Sequence, residues 1–361
     1  MGQMEGLELS IVGAGPAGLA TAIAAHEAGL DYAVLEKGAL VESIFRFPRQ
    51  MTFFTTPDLL EIGGLPFVTP YDKPTQGEAL RYYRRVADTY GLRLELGCEV
   101  TRLSHEGDLF RLEVRGPRGE ETRRSRHVVL ATGYYDHPNR LGVPGEDLPH
   151  VSHYWTEAHA FYRRPVVVVG GKNSAAIAAL ELHRAGAHVT LVHRRDRLAD
   201  GIKYWIKPDI ENRIKEGAIA ARFETTLMSI EAERVQVRGP EGEDTLAADA
   251  VFLLTGYHPD VSLLRGAGVR VDETTLKPDL DLETLETNVP GLFVAGAIAS
   301  GRETSRIFIE NGRFHGEAIV AAILAARTAA GRPGGDAGSP RGVPAGPARS
   351  GRAETRPLRR G

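Results

Sequence analysis

Leu9-Ser10-Ile11-Val12-Gly13-Ala14-Gly15-Pro16-Ala17-Gly18 decides the fold. A short apolar strand runs straight into Gly-x-Gly-x-x-Gly. Gly13 permits the tight turn, Gly15 lets backbone N–H groups approach a pyrophosphate, and Gly18 lets the following helix lie close on the strand. Pro16 and Ala17 complete the loop. A helical pattern with Leu19 and Ile23 runs to Gly29, and Tyr32 to Glu36 reads as the next strand. Strand, glycine loop, helix and strand make a βαβ unit whose helix N-terminus offers free N–H donors and partial positive charge. Glu36 stands 23 residues past Gly13, where a carboxylate accepts hydrogen bonds from an adenosine ribose.

The same order recurs downstream. Pro165 to Val169 reads as a strand, then Gly170-Gly171-Lys172-Asn173-Ser174-Ala175, a helix through Leu182, a stop at Gly186 and a strand from His188 to Val192. Gly170 and Ala175 fit the first and last fingerprint positions, while Lys172 replaces the middle glycine and brings a charge to the pyrophosphate. Asn173 and Ser174 can donate to phosphate oxygens. This second strand ends in His193-Arg194-Arg195, and Arg194 lies 24 residues past Gly170, where the adenosine 2′ position is read. A guanidinium pair suits a 2′-phosphate. At roughly 1.5–3 kcal/mol per charge-assisted bond, two such bonds favour NADPH over NADH on the order of 100-fold or more. Arg197 and Lys203 extend the basic patch.

An acid-terminated unit and an arginine-terminated unit in one chain imply two different nucleotides. The economical pair is FAD and NADPH, because a hydride passes from nicotinamide to flavin. Two further strands end in Thr-Gly, at Val128–Gly133 (with Ala131-Thr132-Gly133) and Val251–Gly256, and a buried strand at 292–296 precedes a helix expected from about Thr304 to Thr328. The expected fold is α/β with two Rossmann-like domains. Residues 158–257 bind NADPH and are inserted into a discontinuous FAD domain made of 1–157 and 258–330.

Composition agrees with a two- or three-domain globular protein. The chain has 361 residues, 42% of them hydrophobic and 25% charged. Net charge is −3, so no basic field addresses nucleic acid. No apolar run is long enough for a membrane span, and the first residues lack a signal-peptide pattern. Residues 331–361 hold eight Gly, five Pro, seven Arg and two acids, and are expected to be a disordered tail. Cys98 is the one cysteine, which excludes internal disulfides, Cys-rich metal sites and a redox Cys-x-x-Cys pair. No His/Asp/Glu spacing resembles a metal site. A cytoplasmic homo-oligomer is expected.

Less generic stretches carry a closer resemblance: MTFFTTPDLLEIGGLPF at 51–67, KPT at 73–75, SHYWTEAH at 152–159, GGKNSA at 170–175, KYWIKPDIENRIKEG at 203–217 and IFIENGRFHG at 307–316. Together they resemble the bacillithiol-disulfide reductase family, a thioredoxin-reductase-like group of flavoproteins with two dinucleotide-binding domains. The resemblance implies FAD, NADPH and reduction of a low-molecular-weight disulfide. It also implies that Thr52 and Phe53 lie near the isoalloxazine ring, and that Gly296, Ala297 and Ile307 lie beside it in the closing strand and helix.

The chain departs from its likenesses at two positions. Ala17 stands where this family typically carries a loop cysteine, and Ala297 stands where the wider two-dinucleotide-binding flavoproteins commonly have an aspartate on the ribityl chain. A thiol relay therefore has no support: either reduced flavin acts directly on the acceptor, or the acceptor is something other than bacillithiol disulfide. Among His137, His153, His258 and His315, the crossover residue His153 is the candidate proton donor. The rival readings are a flavin monooxygenase, a quinone or ferredoxin reductase, and a redox sensor without fast turnover.

Overall fold

The computed structural model describes residues 6–330, so the tail expected at 331–361 falls outside them. Met1–Ile323 forms one compact unit. The second unit is described only for the end of the helix His315–Ala330.

The opening stretch forms the strand Leu7–Val12, and the helix Pro16–Glu27 follows it. Leu9, Ser10 and Ile11 are fully buried because parallel strands flank them on both sides. Leu7–Val12 pairs in parallel with Tyr32–Glu36 and with Gly119–Leu130. Among the described residues this sheet has seven strands. Their spatial order is Leu94–Leu96, Tyr32–Glu36, Leu7–Val12, Gly119–Leu130, Leu109–Gly116, Glu99–Glu106, and Leu292–Val294 also pairs with Gly119–Leu130. The helix Gln76–Tyr90 starts on a capping box in which Thr75 and Glu78 satisfy each other's backbone N–H groups, and it ends on Gly91 at φ 57°.

A second sheet of five parallel strands runs Ala220–Arg222, His188–Val192, Pro165–Val169, Ala250–Leu253, Val151–Ser152. Val166, Val167 and Val168 are at most 1% exposed, each worth about 1.5–3 kcal/mol of burial. The helix Asn173–Arg184 covers this sheet, and Trp155 packs beneath it, donating from Nε1 to Glu181 Oε2 at 2.6 Å. A three-stranded antiparallel sheet, Thr226–Ile230, Arg234–Gly239 and Gly242–Ala247, packs on the other side.

Two expectations need correction. Val151–Ser152, placed at the end of the first segment 1–157, pairs with Ala250–Leu253 of the second sheet. The chain thus crosses over before Val151. The single helix expected from Thr304 is also absent. A short turn of helix at Ile309–Gly312 precedes the long one, which begins at His315. Asn311 explains why no helix runs on from Thr304. Its side chain accepts from Phe308 N at 2.8 Å and donates to Arg306 O at 2.9 Å, which offers the backbone an alternative to helical bonds.

Candidate active site

The two glycine loops open on one cleft of about 2400 Å³. At Gly13 (φ +105°) an added Cβ would lie 2.6 Å from Ala131 O, and at Gly18 it would lie 1.9 Å from Gly13 O. Both glycines let backbone meet backbone. Gly15 differs, since a Cβ there would meet nothing within 4 Å. Its open side faces the cleft, as a pyrophosphate approach requires. The helix that starts at Pro16 has no side-chain cap, so its first N–H groups keep their donors for a ligand.

Glu36 lines the cleft but is only 6% exposed. Its two oxygens accept from Ala14 N and Gly38 N, both at 2.8 Å. Burial pushes its carboxyl up, and the two backbone donors pull it down. The expected ribose acceptor therefore also shapes its own loop, a role that spacing alone does not reveal.

The second loop is built otherwise. Gly170 (φ +155°) packs on Leu254 O and on Ala175, and the edge of Gly171 is filled by the His193 ring, which an added Cβ would approach to 2.2 Å. Lys172 occupies the cap position without capping, so this helix also presents open donors. Asn173 is less free than the sequence implies. Its Oδ1 accepts from Lys203 N at 2.9 Å and its Nδ2 donates to Gly201 O at 3.3 Å, which ties the 201–203 turn to the helix start. Ser174 lines the cleft. Arg194 and Arg195 are exposed at its edge, and among the described residues neither is in an ion pair. Arg197, by contrast, pairs with Asp200 at 3.5 Å. Burial, then Arg195 and Arg194, hold the His193 imidazole below its usual pKa.

The cleft also gathers Thr52, Phe53, Ala131, Thr132, Gly133 and Ile307, with Gly296 and Ala297 beside them. Ala17 faces Gly296, whose added Cβ would stand 2.8 Å from the alanine methyl. Gly296 N donates to His315 Nδ1 at 3.1 Å, so that nitrogen is unprotonated, and burial lowers the pKa of the ring. Gly18 and Ala175 lie beneath the loops and do not line the cleft.

His153 does not line it either. It sits 3.3 Å from the buried Glu146, its carbonyl accepts from Tyr257 Oη at 2.9 Å, and burial lowers its pKa. The crossover position that recommended it puts it inside the junction. What sequence missed there is Asn139. Its N donates to Gly256 O at 2.9 Å, its carbonyl accepts from Thr255 Oγ1 at 2.6 Å, and its Oδ1 lies 3.1 Å from His258 Nδ1, joining the two crossing segments.

Among the described residues, no helix is long and apolar enough to cross a membrane. The cradles fit two dinucleotides: each has an uncapped helix N-terminus, with Gly15 on the cleft wall at one and Lys172 at the other.

A family model described as pyridine nucleotide-disulphide oxidoreductase matches residues 10–296. Bacilliredoxin reductase Bdr of Bacillus subtilis is 44% identical over 87% of this chain and 96% of its own length. The solved bacillithiol disulfide reductase Bdr (YpdA) of Bacillus cereus superposes with a TM-score of 0.87 at 40% identity, covering 89% of this chain and 99% of that one. The Staphylococcus aureus protein of the same description gives 0.85 at 38%, covering 90% and 100%. This chain therefore belongs to the pyridine nucleotide-disulphide oxidoreductases, in the bacillithiol-disulfide reductase group, and is an FAD- and NADPH-dependent oxidoreductase.

Proposed function

We propose that the chain reduces a low-molecular-weight disulfide of the bacillithiol type, RSSR + NADPH + H⁺ → 2 RSH + NADP⁺, without a protein thiol in the relay. The likeness to the solved bacillithiol disulfide reductases supports the acceptor class, and Ala17 is the observation that carries the absence of a thiol relay. It stands in the loop between Gly15 and Gly18 and faces Gly296, and its methyl group can form no mixed disulfide. Cys98, the one cysteine, borders the cleft but is buried among apolar side chains of the first sheet and packs as one of them.

The first loop, with Glu36 bracing Ala14 and Gly38, would hold the FAD pyrophosphate and ribose. Lys172, Ser174 and the uncapped helix at Asn173 would hold the NADPH pyrophosphate, and Arg194 and Arg195 would hold its 2′-phosphate. Bound FAD supplies two-electron acceptance from the nicotinamide and delivery to the acceptor. Residues 158–257 form the nicotinamide module of this reading, with Val151–Ser152 added to its sheet, and the flanking segments form the flavin module. A cytoplasmic homo-oligomer is part of the proposal.

The test is NADPH oxidation by purified holoprotein, with bacillithiol disulfide as acceptor and peroxide followed in parallel. A rate well above the O₂ background is expected. No rate above that background, with stoichiometric peroxide, would replace this reading with an oxygen-using flavoprotein.

A further inference from the structure

Two segments with family-like sequence, 73–75 and 203–217, are not used by the two nucleotide sites, apart from Lys203. They meet on an aromatic platform. Phe54 and Trp205 stand edge to face at 5.9 Å, and Tyr204 stacks edgewise on Trp205 at 4.8 Å. Lys73 Nζ lies 3.9 Å from the Trp205 ring, and Lys203 Nζ lies 5.3 Å from Phe54 and 6.0 Å from Trp205. Trp205 is 40% exposed, and Phe54, Lys73, Lys203 and Trp205 all line the cleft.

The charges are unbalanced. Among the described residues Lys37, Lys207 and Lys277 are in ion pairs with carboxylates, whereas Lys73 and Lys203 are in none. Both are half-buried, where an unpaired ammonium attracts an anion more strongly than it would in open water. An aromatic face holds each cation only weakly.

The platform also has a definite address. Lys73 leads into Pro74 and Thr75, which are tied to the Met51–Phe53 segment through Phe53 N donating to Pro74 O at 2.9 Å and Gln76 N donating to Met51 O at 2.9 Å. Lys203 is tied to the second helix start by its N–H on Asn173 Oδ1. The two cations thus stand between the flavin-side segment and the nicotinamide-side loop. Arg194, Arg195 and Lys172 already serve the phosphates of the proposed NADPH site.

We propose that Lys73, Lys203 and the Phe54–Trp205 platform form the acceptor subsite, selecting a disulfide whose thiol halves carry carboxylates. This inference rests on the disulfide-reductase reading and adds the side chains that select the substrate by its charge. The carboxylates would displace the ammonium groups from the rings, and the apolar part of the disulfide would cover the exposed indole.

The experiment uses FAD-loaded protein and three disulfides of similar size: 3,3′-dithiodipropionate (dianion), 2-hydroxyethyl disulfide (uncharged) and cystamine (dication). Lys73→Ala is expected to lower the ratio of kcat/KM for the dianion to that for the uncharged disulfide about tenfold, the loss of one charge-assisted hydrogen bond. Lys73→Glu with Lys203→Glu is expected to shift the preference towards cystamine. A second readout needs no turnover. Without NADPH, dithiodipropionate should quench tryptophan emission of the wild type in a saturable way and do so much less in Trp205→Phe. A ratio within twofold of wild type in Lys73→Ala, or equal quenching in Trp205→Phe, would overturn the subsite and leave the lysine–tryptophan contact as a packing device. If bacillithiol disulfide, run beside the three, also drives no NADPH oxidation above the O₂ background, the parent reading fails, while the quenching titration still decides whether the platform binds the dianion.

Discussion

The loop at 13–18 and the loop at 170–175 make the same turn from parallel strand to uncapped helix, but different groups hold them. The first is closed by backbone. Gly13 lies on Ala131 O, Gly18 lies under Gly13 O, and each oxygen of Glu36 accepts one N–H of the loop or its neighbour. The second also rests on backbone, with Gly170 on Leu254 O, but side chains complete it, the His193 ring against Gly171 and the Asn173 amide on the 201–203 turn. Three cations of the loop and its neighbouring strand end, Lys172, Arg194 and Arg195, stand in no ion pair among the described residues. A site closed by backbone suits a cofactor that stays. A site made of exposed cations suits a nucleotide that enters and leaves on every turnover, because its electrostatic attraction acts at a distance. The difference teaches that two copies of one supersecondary unit can be tuned for retention and for exchange without changing the turn itself.

The sharpest way to break this comparison is at the glycines. Gly18→Ala forces backbone apart and is expected to cost more than about 3 kcal/mol and to yield colourless protein, read by thermal unfolding and flavin absorbance. Gly15→Ala puts its methyl in open space. It should leave the unfolding midpoint of the flavin-free protein nearly unchanged while weakening FAD binding at least tenfold by titration. Equal effects of the two substitutions would deny Gly15 a ligand role.

Next in size is the exchanging site. Arg194→Ala with Arg195→Ala should lower kcat/KM for NADPH about 100-fold, roughly 2.7 kcal/mol, and that for NADH by less than about threefold. A parallel loss for both cofactors would remove the 2′-phosphate assignment. Glu36→Gln should destabilise the first loop by about 1–3 kcal/mol, because an amide N–H would then face a backbone N–H. Its mark is a loss of both folding stability and FAD affinity, whereas the arginine variants should leave both in place.

The smallest effect concerns pH. His315 accepts from Gly296 N as the neutral ring, and burial lowers its pKa. The unfolded chain binds this proton below about pH 6.5 while the folded chain resists it, so stability is lost as pH falls from about 6.5 towards the folded pKa. His127, His153, His193 and His258 are shifted in the same direction. His315→Asn keeps an acceptor near Gly296 and removes one titrating group. Its unfolding midpoint should therefore fall less between pH 7 and pH 5.5 than that of the wild type, by a few tenths of a kcal/mol. An identical pH slope would show that this imidazole is not held neutral in the fold.

Both βαβ units were legible because their signals are local: a strand, glycines at fixed offsets and a strand-end charge, all within about 30 residues. The same holds for Tyr32–Glu36 and His188–Val192, where the apolar run and its bounding turns coincide with the observed strands. What escaped was non-local or competitive. The bond from Gly296 to His315 joins residues whose proximity depends on the turn between them, and Asn311 breaks the expected helix through a side-chain bond that helical propensity does not register. Val151–Ser152 is too short to read as a strand at all, and only its pairing with Ala250–Leu253 defines it. His153 looked exposed to chemistry because it lies at a crossover, yet junctions bury what they join. Lys73 and Trp205 are 132 residues apart, and no periodicity connects them.

The central claim is that one cleft holds a resident flavin and an exchangeable NADPH within reach of each other. Anaerobic stopped-flow mixing of the FAD-loaded protein with NADPH or NADH tests it most directly. The account expects the flavin absorbance to bleach fully with NADPH, saturably, with an apparent affinity on the order of 100-fold tighter than for NADH. Protein that takes up no flavin, or bound flavin that NADPH bleaches no better than NADH, would contradict it.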